Sequence, residues 1–140
     1  MGRVPKQILA EKQNVDVALD NLNKALARTN KSTIELAAIG TFIHNIYNGI
    51  ENILKQTASL KNIEIPKSES WHKDLLNLSV SKGIISDELS EQLYEYLTFR
   101  HFFIHSYGFM LEEKHLESLA TNIHDIWGRF MSEISSSLNK

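Results

Sequence analysis

Apolar residues recur at intervals of three and four along almost the whole chain, the spacing that places them on one face of an α-helix. The clearest run lies near the C-terminus and comprises Leu116, Leu119, Ile123, Ile126, Trp127, Phe130 and Ile134. No segment shows the sustained alternation of a β-strand. The chain also has no cysteine, which excludes disulfides and thiolate metal sites. We therefore predict an all-α fold, a bundle of four or five helices joined by short loops.

Capping residues divide this pattern into its helices. The first helix should end within the sequence RTNKST, where Ser32 or Thr33 can begin the second. Ser70 and Ser86 are suited to cap the third and fourth helices. The regular geometry of the fourth helix should end near Gly108. With 140 residues the chain is expected to form a single domain over residues 1–140.

Composition limits the classes of function. A net charge of −2 argues against a general nucleic-acid-binding surface, although it does not exclude a local groove of positive potential. No apolar run approaches the roughly 18 residues of a membrane span, and the N-terminus does not resemble a secretory signal. We expect a soluble cytoplasmic protein without a cofactor or membrane partner.

The sequence FRHFFIHSYGF, residues 99–109, places cationic and titratable side chains among aromatic ones. On an ideal helix Arg100 shares a broad stripe with Leu93 and Tyr107, and this stripe faces the bundle. His105 lies roughly 140° from Arg100 by the same geometry. The two side chains can therefore meet only if the helix is distorted, for example by a π-bulge, or if a site is completed across a dimer.

The segment from Tyr96 to Phe103 is apolar around nearly its whole circumference. Such a helix should be covered on both sides, and one bundle covers only one of them. We therefore expect a homodimer. The alternative for the polar residues is structural: an arginine on an apolar stripe can extend to the rim, and a histidine can be packed and hydrogen-bonded.

The motif Arg100-x4-His105-x-Tyr107, with His101 directly after the arginine, resembles the R-x4-H-x-Y motif of HEPN-domain toxins of the HepT family. The segments IYNGIENILK and SWHKDLL are also similar to the second and third helices of that family. The resemblance implies an all-α HEPN-type homodimer. It further implies the toxin of a type II-like toxin–antitoxin system, a metal-independent endoribonuclease acting on tRNA or mRNA.

Roles for the motif residues follow from this resemblance. His105 would take the proton from a 2′-hydroxyl as the general base, and Arg100 would hold the phosphate. His101 would support the site by orienting a group or by protonating the leaving 5′-oxygen. Tyr107 would receive AMP from a minimal nucleotidyltransferase antitoxin (MntA-like), which silences the toxin.

Two alternatives remain open. One is a non-catalytic HEPN protein that binds nucleotide or substrate for a nucleotidyltransferase. The other is a helical interaction module in which the central helix is only a dimer contact.

Further polar residues are assigned less specific positions. We expect Glu51 on the exposed face of the second helix, with an inward position pairing with Arg100 as the alternative. His72 is expected to be structural. The other histidines lie on different helices without partners at ligand spacing, so no metal site is predicted; these are His44, His115 and His124.

Overall fold

The structure of the protein, a computed structural model, describes residues 4–107 and 112–139, and it describes Ser106 and Tyr107 by their backbone only. These residues form α1 (Lys6–Leu26), α2 (Thr33–Leu60), α3 (Trp71–Ser81), α4 (Asp87–Phe102) and α5 (Glu113–Leu138). A single π-helical turn, Phe103–Tyr107, continues α4. The described residues contain no strand, and the prediction of an all-α bundle is confirmed.

Side-chain caps fix two of the predicted helix starts. The backbone N–H of Ser32 donates to Glu35 Oε2 at 2.8 Å, and the Ser32 hydroxyl accepts from the Glu35 backbone, so both halves of a capping box are present. Ser86 caps α4 by accepting from the backbone N–H three residues further on at 3.2 Å. Ser70 precedes α3, but its hydroxyl donates to the Asp74 carboxylate at 3.2 Å and does not cap the helix.

Helix α2 is the centre of the bundle, since it packs against each of the other four helices. Its apolar residues are accordingly buried, among them Ile43, Ile46, Ile50 and Ile53. The six-residue connection 27–32 leaves α1 antiparallel to α2. Gly49 of α2 lies against Val15 of α1, where a Cβ on the glycine would overlap the valine side chain.

Buried polar atoms on aromatic side chains tie α5 to its neighbours. The Tyr96 hydroxyl of α4 donates to the Leu119 carbonyl at 2.6 Å, and Trp127 Nε1 donates to Asp16 Oδ1 of α1 at 3.0 Å. Trp127 and Phe130 belong to the core, as their spacing predicts. Within residues 4–107 and 112–139, no helix combines the length and the apolar character needed to cross a membrane.

Candidate functional site

Arg100 lies near the end of α4 and points towards α2. The side chain is half-buried, and its Nε donates a hydrogen bond to Oδ1 of Asn48 at 3.0 Å. The guanidinium therefore lies on the bundle side of the helix, as the apolar stripe predicts. Its Nη1 and Nη2 make no hydrogen bond to the described residues, and a guanidinium edge of this kind suits an anion such as a phosphate.

Asn48 links Arg100 to a histidine one turn earlier on α2. Since Asn48 Oδ1 accepts from Arg100, its Nδ2 is the atom that faces Nε2 of His44, at 3.1 Å. An amide nitrogen can only donate, so Nε2 must accept and the neutral ring carries its proton on Nδ1. That Nδ1 is buried and has no acceptor among the described residues. The neutral state of His44 is the one that leaves Asn48 oriented towards Arg100.

The surroundings of His44 favour this neutral state. Burial lowers the pKa of His44, and the positive charge of Arg100 lowers it further, while the carboxylate of Glu51 acts in the opposite direction. Loss of a proton is favoured because a protonated ring in this half-buried position would be poorly solvated and would bring a second positive charge near the guanidinium. The sequence His44–Asn48–Arg100 thus forms one chain of hydrogen bonds that fixes the guanidinium.

His101 and His105 form a second polar group on the outer side of the same helix. Both side chains are exposed, and their ring centroids lie 4.2 Å apart with the planes inclined at 48°. Neither histidine is hydrogen-bonded to Arg100 within the described residues. The structure therefore brings the two histidines into contact with each other and brings Arg100 into contact with Asn48.

The π-helical turn begins at Phe103, between Arg100 and His105. A π-helix hydrogen-bonds from residue i to i+5, and each residue advances around the axis by a smaller angle than in an α-helix. The turn therefore rotates His105 back towards the face of Arg100 relative to an ideal α-helix. The regular α4 ends at Phe102, earlier than the predicted change near Gly108, which lies outside the described residues. The Tyr107 side chain also lies outside them.

The expectation for Glu51 is wrong. Its side chain is buried, with the residue 3% exposed, and it accepts from Nδ1 of His72 on α3 at 2.8 and 2.9 Å. The inward alternative is correct in direction, but the partner is His72 and not Arg100. Trp71 stacks on the His72 ring at 3.6 Å, and Lys55 lies 5.0 Å from the centre of the Trp71 ring.

The sequence contains a signal that could have identified this arrangement. Four polar residues follow one another at spacings of four, three and four along α2, so they share one face; they are His44, Asn48, Glu51 and Lys55. Where a polar stripe faces neighbouring helices, its buried groups require partners from those helices. Here α4 supplies Arg100 and α3 supplies His72.

Chemically, the site offers a fixed guanidinium edge and two exposed imidazoles within one helical segment. These groups can bind an anion and transfer a proton, which are the functions that phosphodiester cleavage through an internal hydroxyl needs. Across residues 4–107 and 112–139, no group of three histidine or carboxylate side chains is arranged to hold a metal ion.

The comparisons with known proteins agree with this architecture. A family model described as HepT-like protein matches residues 38–139, which span well over half of the chain and include α2 from its second turn through α5. Neither the comparison with curated proteins nor the comparison with solved structures gives a match. The chain belongs to the HepT-like family of HEPN-domain proteins, a family associated with toxin–antitoxin pairs.

Proposed function

We propose that this protein is the toxin of a toxin–antitoxin pair in the cytoplasm and acts as a metal-independent endoribonuclease on tRNA or mRNA. The observation that supports the proposal most strongly is the arrangement of the R-x4-H motif. Arg100 is held by Asn48, its Nη atoms make no hydrogen bond to the described residues, and His105 is exposed on a π-helical turn one to two turns further on. Membership of the HepT-like family supports the same class of activity.

In the proposed reaction, His105 takes the proton from a ribose 2′-hydroxyl, and the resulting oxygen attacks the adjacent phosphorus. The bond from phosphorus to the 5′-oxygen breaks, which leaves a 2′,3′-cyclic phosphate on one fragment and a 5′-hydroxyl on the other. The Nη edge of Arg100 binds the non-bridging oxygens, whose negative charge grows in the transition state. A positioned general base of this kind contributes about 10²–10⁴-fold to the rate.

The contact between the two histidines supports an orienting role for His101. In-line displacement needs the base and the acid on opposite sides of the phosphate, and rings 4.2 Å apart lie on the same side. His101 therefore orients His105 in the same chain. The proton for the leaving oxygen comes from water or from a second copy of the chain.

A homodimer is part of the proposal because the outer face of α4 remains apolar. Tyr94 and Ile104 are each 46% exposed and Phe102 is 36% exposed. A groove of about 510 Å³ beside them is lined further by Phe99 and His115. A second copy packed on this face would remove the apolar surface from water and bring two motifs to one cleft. Light scattering should give a dimer at micromolar concentration, and a monomer would contradict this part of the proposal.

The proposed antitoxin is a minimal nucleotidyltransferase that transfers AMP to Tyr107. The added phosphate would bind the Arg100 edge that the RNA phosphate otherwise uses. Intact mass spectrometry after co-expression should show one or more AMP units on Tyr107. An adduct that persists in Tyr107→Phe, or that maps to another residue, would contradict this assignment.

Incubation of the purified protein with tRNA and total RNA in EDTA tests the activity itself. Wild-type protein should cut RNA and arrest growth when expressed alone, while Arg100→Ala and His105→Ala should be inactive but folded. His124→Ala is the matched control, because it removes an exposed histidine from α5. Unimpaired toxicity of His105→Ala would contradict the mechanism. Absence of cleavage by the wild type would favour a non-catalytic partner of a nucleotidyltransferase.

A further inference from the structure

A polar groove of about 310 Å³ runs between α1 and α2. Its floor is the close approach of the two helices at Gly49 and Val15. Asparagines from both helices line it, two from α1 and three from α2; they are Asn14, Asn21, Asn45, Asn48 and Asn52. These amides lie at the solvent-accessible edge of an otherwise apolar contact between the two helices, with Asn14 and Asn45 exposed.

Most of these amides have hydrogen-bonding capacity left. Asn52 Nδ2 donates to Glu11 Oε1 at 3.3 Å, and Asn48 is engaged with Arg100. The other three, Asn14, Asn21 and Asn45, make no side-chain hydrogen bond to the described residues. A primary amide presents an acceptor and two donors side by side, the pattern that reads the edge of a nucleobase.

The groove is continuous with the candidate site at one end, because Asn48 both lines it and holds Arg100. At its other end, it adjoins a second groove of about 420 Å³ through the shared residues Asn21 and Phe42. The second groove adds Lys24 and Arg28. Lys24 is paired with Asp20 at 3.3 Å, but both side chains are exposed, so the pair is weak.

The order of groups along this path suits a single nucleic-acid strand. Cations lie at both ends, amides lie between them, and the half-buried Phe42 ring offers a surface on which a base can stack. Two carboxylates border the path towards its ends, Glu11 beside Asn52 and Gly49, and Glu35 in the second groove with Arg28. The residues lining the middle of the path include no cation, so bases and riboses should lie there and phosphates nearer the cations. From Asn48 to Ala38 the path is roughly 15 Å long, the length of about four stacked nucleotides.

We propose that the amide-lined groove between α1 and α2 binds the single-stranded RNA that flanks the bond to be cut. This inference rests on the proposed ribonuclease function, in which Arg100 binds the scissile phosphate. It adds a substrate-binding surface, about half of which lies on α1, outside the residues matched by the family model. The cations Lys24, Arg28 and Arg100 together predict a shallow salt dependence, with log affinity falling by about 2 per tenfold increase in salt.

The test introduces negative charge into the groove without changing side-chain shape. A fluorescein-labelled single-stranded 12-mer RNA is titrated into full-length protein carrying His105→Ala, so that it is bound but not cut. Asn21→Asp combined with Asn45→Asp should weaken binding at least tenfold. Asn77→Asp, the same change at an exposed position on α3, should leave binding within twofold. In protein with His105 intact, the double variant should raise KM and leave kcat within twofold.

The possible outcomes distinguish an error in the assignment of the groove from an error in the assignment of the ribonuclease activity. If wild-type protein cuts RNA but the double variant keeps its affinity and KM, the groove assignment is wrong and the ribonuclease function stands. If wild-type protein cuts nothing while only the groove variant loses RNA binding, the activity is wrong and the groove stands. If the double variant binds RNA normally but escapes neutralisation by the antitoxin, the groove is a protein-docking surface and the inference is overturned. If circular dichroism shows that the double aspartate variant is misfolded, the double variant Asn21→Ala with Asn45→Ala is tested instead. It should likewise weaken RNA binding at least tenfold.

Discussion

Replacing Asn48 by alanine removes the acceptor that orients Arg100 while leaving the guanidinium itself in place. The lost interaction is a hydrogen bond from a charged donor at 3.0 Å in a half-buried position. Hydrogen bonds of this type contribute about 1.5–3 kcal/mol. If the orientation matters chiefly in the transition state, kcat should fall roughly tenfold to a hundredfold, since about 1.4 kcal/mol corresponds to a factor of ten.

The assay is single-turnover cleavage of a defined RNA, with Asn77→Ala as a control for the loss of an exposed amide on α3. KM should rise less than kcat falls, because Asn48 contributes only one of the groove amides. Unfolding should be easier by about 1–2 kcal/mol, because Arg100 Nε and His44 Nε2 each lose a partner. A kcat within twofold of wild type, in a folded Asn48→Ala protein, would refute the idea that Asn48 positions the guanidinium.

Three further sets of substitutions test the packing around α2. His72→Ala leaves the buried Glu51 carboxylate without its histidine partner and should lower the free energy of unfolding by about 3–5 kcal/mol. Glu51→Gln should lower it by only about 1–2 kcal/mol, because the amide oxygen still accepts from the His72 ring. Urea unfolding compares the two variants, and equal losses would contradict the pairing. Because the pKa of His44 is lowered in the folded protein, the unfolded chain binds a proton at a higher pH than the folded chain does. The contribution of neutral His44 to stability is therefore complete above pH 6.5 and is lost as the pH falls from there through the lowered pKa. Thermal unfolding of His44→Gln should depend less on pH in that window than unfolding of the wild type, and an identical dependence would contradict this. Gly49→Ala places a Cβ against Val15 and should cost about 1–3 kcal/mol by separating α1 from α2; unchanged stability would show that the two helices are not in tight contact.

Local patterns predict the helices because each pattern depends on residues close in sequence. The start of α2 at Ser32 follows from a capping box within four residues, and the burial of Trp127 and Phe130 follows from their spacing on one helix. Ser70 illustrates the limit of such reasoning, since a suitable capping residue precedes α3 but its hydroxyl accepts no hydrogen bond from the helix backbone. The Ser70 backbone has a ψ of 24°, whereas Ser32 and Ser86, which do cap their helices, are extended, with ψ of 174° and 157°.

The environment of Glu51 could not be assigned from α2 alone. A carboxylate in an apolar helix is either exposed or paired, and the choice depends on which side chain the neighbouring helix presents. Here His72 comes from a helix joined to α2 by a ten-residue loop. The same holds for Asn48, whose partner Arg100 is 52 residues away. For Arg100 itself, the apolar stripe on α4 correctly predicted that the side chain faces the bundle, but it did not identify Asn48 as the hydrogen-bond acceptor.

The nature of the RNA ends tests the account most directly. After incubation of the wild-type protein with a defined RNA in EDTA, mass spectrometry of the fragments distinguishes attack by the 2′-hydroxyl from attack by water. The account predicts 2′,3′-cyclic phosphate and 5′-hydroxyl ends, formed by the wild type and lost in Arg100→Ala and His105→Ala. Fragments ending in a 3′-hydroxyl, or the same cyclic products from His105→Ala, would contradict it.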